Sequence, residues 1–260
     1  DFFGGAQSRG PSVQMGLGPG VVVKTDGTIL TNHHVVDGAE AIKVELQNNR
    51  AYDAKVIGSD PPSDLAVLKI DAKELSALNL GDSDRVRVGD VVLAIGNPLG
   101  IGQTVTAGII SAKGRSTGLS DGSFEDFLQT DAPINQGNSG GALVNTEGEL
   151  VGINSQILST SGGSIGIGFA VPSNMARTVL DQLIATGKVR RGQLGVAIQP
   201  VTPEQAADLG LKEPKGVVIA SVAPQGPAAR AGLRPGDAIV GFQGEAVTDG
   251  NTLRNRIAST

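Results

Sequence analysis

Ser139 sits in the stretch D-A-P-I-N-Q-G-N-S-G-G at residues 131–141, with Gly137, Gly140 and Gly141 around it. A hydroxyl becomes a nucleophile when it is exposed, served by a base and faced by donors for the charge that develops opposite it. Glycines let the chain bend sharply and bring amides close to a reacting carbonyl. The N–H groups of Gly137 and Ser139 can then point at one oxyanion. The same glycines equally suit a plain turn between two strands. A histidine base for such a serine must be His33 or His34, the only histidines in the sequence. Neighbours on an extended chain point to opposite faces, so one of the two faces a given site and the pair is a poor metal ligand set. Asp64 stands at the mouth of an apolar run, where a carboxylate is either a turn cap or the buried partner of a histidine. The chain order histidine, Asp64, Ser139 is readable as base, orienter and nucleophile. These separations suit two β-barrels meeting at a cleft, although spacing by itself does not establish one.

The elements that must hold these residues read as short strands. The chain has 38 glycines in 260 residues, about twice the usual share. Aromatics are 3%, and hydrophobics, at 39%, suffice for a sizeable core. Residues 21–24 and 28–31 predict a hairpin about Asp26-Gly27, which delivers Asn32, His33 and His34. Further strands are expected at 41–46, 51–59, 65–70, 85–88, 91–95, 104–111, 143–145 and 150–155. Pro61 and Pro62 end one element just before Asp64. Turn signals about every ten residues predict a sandwich or barrel. Residues 113–126 and 158–165 lack strand rhythm and read as mobile surface loops on either side of the serine stretch. A helix is expected over 172–186, with Met175, Val179, Leu183 and Ile184 at helical spacing, Ser173 or Asn174 as cap and Gly187 as stop. Residues 1–187 are expected to form the first domain and 188–260 a second, smaller one. In the latter, 202–209 and 227–232 read as helices, 216–222 and 238–243 as strands, and Leu253 and Ile257 begin a helix that the chain end cuts short.

Several function classes fall away. The net charge is -5 and no basic track lines one face, which argues against a nucleic-acid partner. Cysteine is absent, so disulfides, thiol catalysis and cysteine-bound zinc are excluded. No apolar run is long enough for a membrane-spanning helix. No signal sequence is present, and Asp1 is not a natural initiator, so the start is expected to be processed or trimmed.

T-N-H-H-V-V at residues 31–36, S-D-L-A-V-L-K-I at 63–70, A-I-G-N-P-L-G at 94–100 and D-A-P-I-N-Q-G-N-S-G-G, in this order, resemble the HtrA family. The DegP and DegQ branch of bacterial envelope proteases and chaperones matches best, from about Phe2 to the chain end. The resemblance implies a mainly β protein: a chymotrypsin-like double β-barrel protease domain followed by a PDZ (α+β) domain. That PDZ domain is expected to be incomplete at its C-terminus, with a second one missing. The resemblance also implies an ATP-independent serine endopeptidase that needs no cofactor and acts on unfolded or misfolded polypeptides. Position by position, His34 rather than His33 matches the base, Asp64 the orienter and Ser139 the nucleophile. Gly137, Asn138 and Ser139 match the oxyanion loop.

Finer expectations follow from the same resemblance. Ile134 and Ile167 match the primary specificity pocket, and two isoleucines there imply cleavage after small aliphatic residues. Arg115 matches the sensor loop, and 158–165 a second activation loop. Gln193, Leu194, Gly195 and Val196 match the PDZ carboxylate-binding loop, where the amides of Leu194 and Gly195 hold a peptide C-terminus and the peptide adds as a strand. The family implies a homotrimer, with Phe2 and Phe3 packed between subunits, larger cages built from trimers, and a periplasmic location. Three departures stand out: Pro19 replaces a small polar residue in G-L-G-x-G, His33 replaces asparagine, and residues 4–16 are shorter than the DegP regulatory loop and lack its cysteines. The rival expectation is a chaperone or PDZ peptide-binding adaptor whose protease site rests unassembled.

Overall fold

The computed structural model describes residues 16–97, 102–118, 123–135, 137–157 and 164–260. Phe2 and Phe3, and most of the expected activation loop at 158–165, lie outside these. Val21–Lys24 (β1) and Thr28–Thr31 (β2) form the hairpin that Asp26-Gly27 predicts. Asp26 Oδ1 closes the turn by accepting from Thr28 N–H at 3.0 Å. His33–Val36 (α1) follows as one helical turn, not the extended run expected there. Ile42–Glu45 (β3), Ala51–Asp60 (β4) and Leu65–Ile70 (β5) complete a five-stranded antiparallel sheet in the order β1-β2-β5-β4-β3.

A closed barrel comes next, built from Val91–Gly96 (β6), Thr104–Arg115 (β7), Phe127–Thr130 (β8), Ala142–Val144 (β9), Leu150–Ile157 (β10) and Gly168–Pro172 (β11). Closure removes every exposed strand edge. The strand expected at 85–88 is instead a turn, in which Asp90 Oδ2 accepts from Arg87 N–H and Asp90 N–H returns to Arg87 O. The serine-flanking segment is also shorter as a loop than expected, because β7 runs on through Lys113 to Arg115 and pairs Arg115 with Phe127.

The core lies between the two sheets. Leu30, Leu65 and Val67 from the first meet Phe127, Ile153, Phe169 and Val171 from the second. Ser173–Thr186 (α2) packs onto this cluster through Ala176, Val179, Leu180 and Leu183, spaced as one helical stripe. Each buried Val or Leu adds about 1.5–3 kcal/mol. Ile184, expected on that stripe, lies at its edge and is exposed. Gly187 ends the helix in the left-handed region with φ 71°, its N–H on Leu183 O.

The C-terminal part comprises Val196–Pro200 (β12), Pro203–Asp208 (α3), Val217–Val222 (β13), Pro227–Arg230 (α4), Ala238–Ile239 (β14), Gly241–Phe242 (β15), Glu245–Ala246 (β16) and Gly250–Ala258 (α5). Thr202 and Gln205 start α3 with a reciprocal capping box. Ile198, Val217, Val247, Leu253 and Ile257 pack between α5 and the β12-β13-β14 sheet.

Among the described residues, several contacts tie this part to the first, including Arg190 N–H on Gln182 Oε1 at 2.8 Å. Arg191 makes a paired ion contact with Asp60, with Nη1 at 2.8 Å from Oδ1, and its guanidinium lies 4.4 Å from the centre of the Phe124 ring. Asn251 and Asn255, one turn apart on α5, both donate to Glu125 O at 2.7 Å. Burial pushes the Asp60 carboxyl up, but Arg191 and Ser63 outweigh it and hold it below its ordinary value.

Candidate active site

Asp64 owes its position to a deliberate break between two strands. β4 ends at Asp60, Pro61–Ser63 makes one 3-10 turn, and β5 starts at Leu65. Asp60 caps that turn by accepting from Ser63 N–H at 3.2 Å. The turn throws Asp64 into the left-handed region, φ 54° and ψ 41°, where a non-glycine residue is uncommon. The residue is then held from both ends. Its carbonyl accepts from His33 N–H at 3.1 Å and from Asn32 Nδ2 at 2.9 Å. Its carboxylate accepts from His34 N–H at 3.0 Å and from the Ser155 hydroxyl at 2.9 Å.

The same carboxylate meets His34 Nδ1 at 2.8 and 2.9 Å. An ionised carboxylate only accepts, so the Nδ1 side of the ring carries the proton and Nε2 is left as an acceptor. His33 takes a different direction on α1: its Nε2 lies 3.8 Å from Asp37 and it has no contact with Asp64 through its ring. The structure therefore separates the two histidines by their partners, on a helical turn rather than on opposite faces of a strand.

Ser139 lies in a tight turn before β9. Gly137 and Gly140 both have positive φ, 98° and 91°. A Cβ on Gly140 would be driven into Pro19 O and Thr31 Oγ1, so only glycine fits. β10 secures the turn: Gly140 N–H donates to Asn154 O at 2.8 Å, and Asn154 N–H donates to Gly141 O at 2.9 Å. Asn154 itself is wholly buried, its Nδ2 on Ala142 O at 3.0 Å. The β10–β11 register slips between Asn154 and Gln156, a bulge centred on Ser155. One residue of that bulge thus grips the serine turn and the next reaches Asp64. Ser155 is a member of the site that the sequence reading missed, because a serine inside a strand carries no signal of its own.

The expected oxyanion loop is narrower than three amides. Asn138 N–H is spent on Asn135 O at 3.0 Å, which withdraws it. Among the described residues the N–H groups of Gly137 and Ser139 have no acceptor, so these two remain as a donor pair. Ser139 Oγ likewise makes no hydrogen bond to His34 among the described residues.

The other expected site residues fall as follows. Ile134 is a core side chain, 1% exposed, clustered with Ile110, Leu143 and Val151, while Ile167 is half-buried and packs against the separate cluster that holds Phe127 and Phe169. Arg115 is at the end of β7, its Nε on Gln129 Oε1 at 3.1 Å, not in a free loop. Gln193, Leu194 and Gly195 precede β12, which begins at Val196. Gly195 has φ 73°, and Ala228 N–H and Ala223 N–H donate to Leu194 O and Gly195 O. That leaves the amides of Leu194 and Gly195 unspent among the described residues. No helix among the described residues is long and apolar enough to cross a membrane.

Comparison with known proteins places these observations. A family described as the trypsin-like peptidase domain matches residues 18–153, and one described as the PDZ domain matches residues 192–260. The probable periplasmic serine endoprotease DegP-like of Brucella suis biovar 1 (strain 1330) is 50% identical over 244 residues, covering 93% of this chain and 47% of that protein. The periplasmic serine endoprotease DegP of Escherichia coli (strain K12) is 47% identical over 247 residues, covering 94% and 52%. The chain spans about half the length of these curated relatives. Among solved structures, the HtrA-type protease AlgW with tripeptide superposes with a TM-score of 0.84 at 54% identity, covering 93% of this chain and 80% of that one. The serine endoprotease from Yersinia pestis follows with a TM-score of 0.71 at 44% identity, covering 96% and 82%.

Proposed function

This chain belongs to the HtrA family of trypsin-like serine proteases with PDZ domains, and from that membership we propose that it is an ATP-independent serine endopeptidase of the periplasm that degrades unfolded polypeptides. The observation that carries the reading is the His34–Asp64 pair, with Nδ1 held by the carboxylate and Nε2 free to take a proton. His34 Nε2 removes the Ser139 proton as Oγ attacks the scissile carbonyl. Asp64 stabilises the imidazolium that forms, and the imidazolium then protonates the leaving amine. The amides of Gly137 and Ser139 receive the oxyanion. Water repeats the sequence on the acyl-enzyme.

Cleavage follows small aliphatic residues. This preference rests on the match of Ile134, buried in the barrel core, and Ile167, half-buried, to the family's primary pocket, where aliphatic side chains would favour small apolar residues over lysine or arginine. Peptide C-termini bind at Gln193, Leu194, Gly195 and Val196, where the carboxylate meets the two unspent amides and the peptide extends β12. Residues 1–187 act as the protease and 188–260 as the peptide-binding module. Assembly is a homotrimer, and Arg115 relays activation.

A second reading has its own support. Ser139 Oγ stands without a bond to His34, the arrangement of a resting site in a chaperone or adaptor. One experiment decides. Wild type and Ser139→Ala are incubated with casein and with a fluorophosphonate probe. Digestion and labelling by the wild type alone support the enzyme. Inactivity and absence of label in both, with casein aggregation still suppressed, supports the binder.

A further inference from the structure

Asn32 occupies the N-cap position of α1, where an asparagine side chain ordinarily accepts a hydrogen bond from the first turn. Here it makes no such bond. Its Nδ2 instead crosses to Asp64 O at 2.9 Å, and its Oδ1 is left without a partner in a wholly buried site. Giving up a cap and burying an unpaired acceptor are both unfavourable. The bond to Asp64 must therefore matter to this local arrangement more than capping does. Asp64 is also the residue whose backbone most needs fixing. It sits in the left-handed region, and rotation of its peptide out of that region would swing the carboxylate away from His34. Asn32 and His33 grip its carbonyl from the two residues that immediately precede His34.

We propose that Asn32 is a positioning residue, which locks the left-handed backbone of Asp64 and thereby fixes the carboxylate–imidazole pair. This rests on the proteolytic reading for its kinetic consequence, but not for its structural one. A displacement of about 1 Å in such a pair can cost up to roughly 100-fold in rate.

The test compares Asn32→Ser with Asn32→Ala. Serine caps a helix about as well as asparagine but is too short to reach Asp64 O. The readouts are kcat and KM on a peptide substrate, the acid limb of the pH profile of kcat/KM, and the far-downfield NMR signal of the His34 Nδ1 proton. Expected are falls in kcat of about 10- to 100-fold in both variants, KM within about twofold, a moved acid limb, and a shifted or lost Nδ1 signal. Near-normal turnover in the serine variant with loss only in the alanine variant would assign Asn32 to capping and overturn the proposal. So would lower kcat in both with the pH limb and the Nδ1 signal unmoved. Should the alanine variant fail to fold, the serine variant carries the comparison. Wild-type protein without turnover would sink the proteolytic reading, and the Nδ1 signal would still decide the role of Asn32.

Discussion

At the scale of single residues, Asp64 takes more hydrogen bonds than any neighbour in the site, and they are not equal. His34 Nδ1 needs an acceptor to hold its tautomer, whereas Ser155 only steadies one oxygen of that acceptor. Asp64→Asn should leave the fold intact and lower kcat by roughly 10⁴-fold, because the amide can present a donor to Nδ1 and turn the ring over. Ser155→Ala should cost only about 3- to 10-fold, with KM unchanged. Steady-state kinetics on one peptide settles the order, and equal losses would mean that Ser155 is essential in its own right. Sequence made His34, Asp64 and Ser139 visible because each sits in a distinctive motif. Asn32 was legible only as a letter of the T-N-H-H-V-V motif, and Ser155 not at all, since what they do depends on partners 32 and 91 residues away. The same holds for Asn138: its place in the serine stretch was legible, but not the spending of its amide on Asn135.

At the scale of elements, strands with turn residues at both ends were legible almost to the residue, as in β1, β2 and β5. The errors have physical causes. The motif at 85–88 alternates like a strand, but Asp82, Arg87 and Asp90 find partners by folding back on themselves. β8 and β11 escaped because the barrel buries both of their faces, which erases the alternation that marks a strand. The turn around Ser139 makes its own demand. Gly140→Ala should lower stability by about 2–4 kcal/mol, since the added methyl meets two oxygens at a positive φ. Urea unfolding followed by circular dichroism measures the loss. A variant as stable as wild type would show that the turn can relax away from Pro19 and Thr31.

At the scale of the whole molecule, the contact between the protease part and α5 is charged and sensitive to pH. Asp126 follows the Glu125 carbonyl that Asn251 and Asn255 grip. Burial, then the neighbouring Asp84, raises its carboxyl from 3.8 to about 6; Asp249 also raises it, while Lys113 and Arg256 oppose. The sign follows from linkage. The folded form prefers Asp126 protonated, so its contribution is intact below pH 3.8 and is lost as pH rises to about 6. At neutral pH the charged group destabilises the folded state by about 1–2 kcal/mol after allowance for solvent screening. Asp126→Asn should therefore raise the melting temperature at pH 7.5, and the gain should shrink towards zero near pH 4. Thermal scans across that range check it, and a gain independent of pH would exclude the carboxyl as the source. None of this was legible in the sequence, where Asp126 was one acid among many in a polar stretch.

The bulge in β10 has a consequence for how this family can vary. Asn154 holds the Ser139 turn and Ser155 holds the Asp64 carboxylate, so two anchor points of the candidate site are set by adjacent positions of a single strand. Exchanging a side chain elsewhere along that strand alters packing. Inserting a residue between them, or deleting one beside them, reverses which face one presents relative to the other and upsets the settings together. Related chains should accordingly differ freely in the spelling of β10 and scarcely ever in its length.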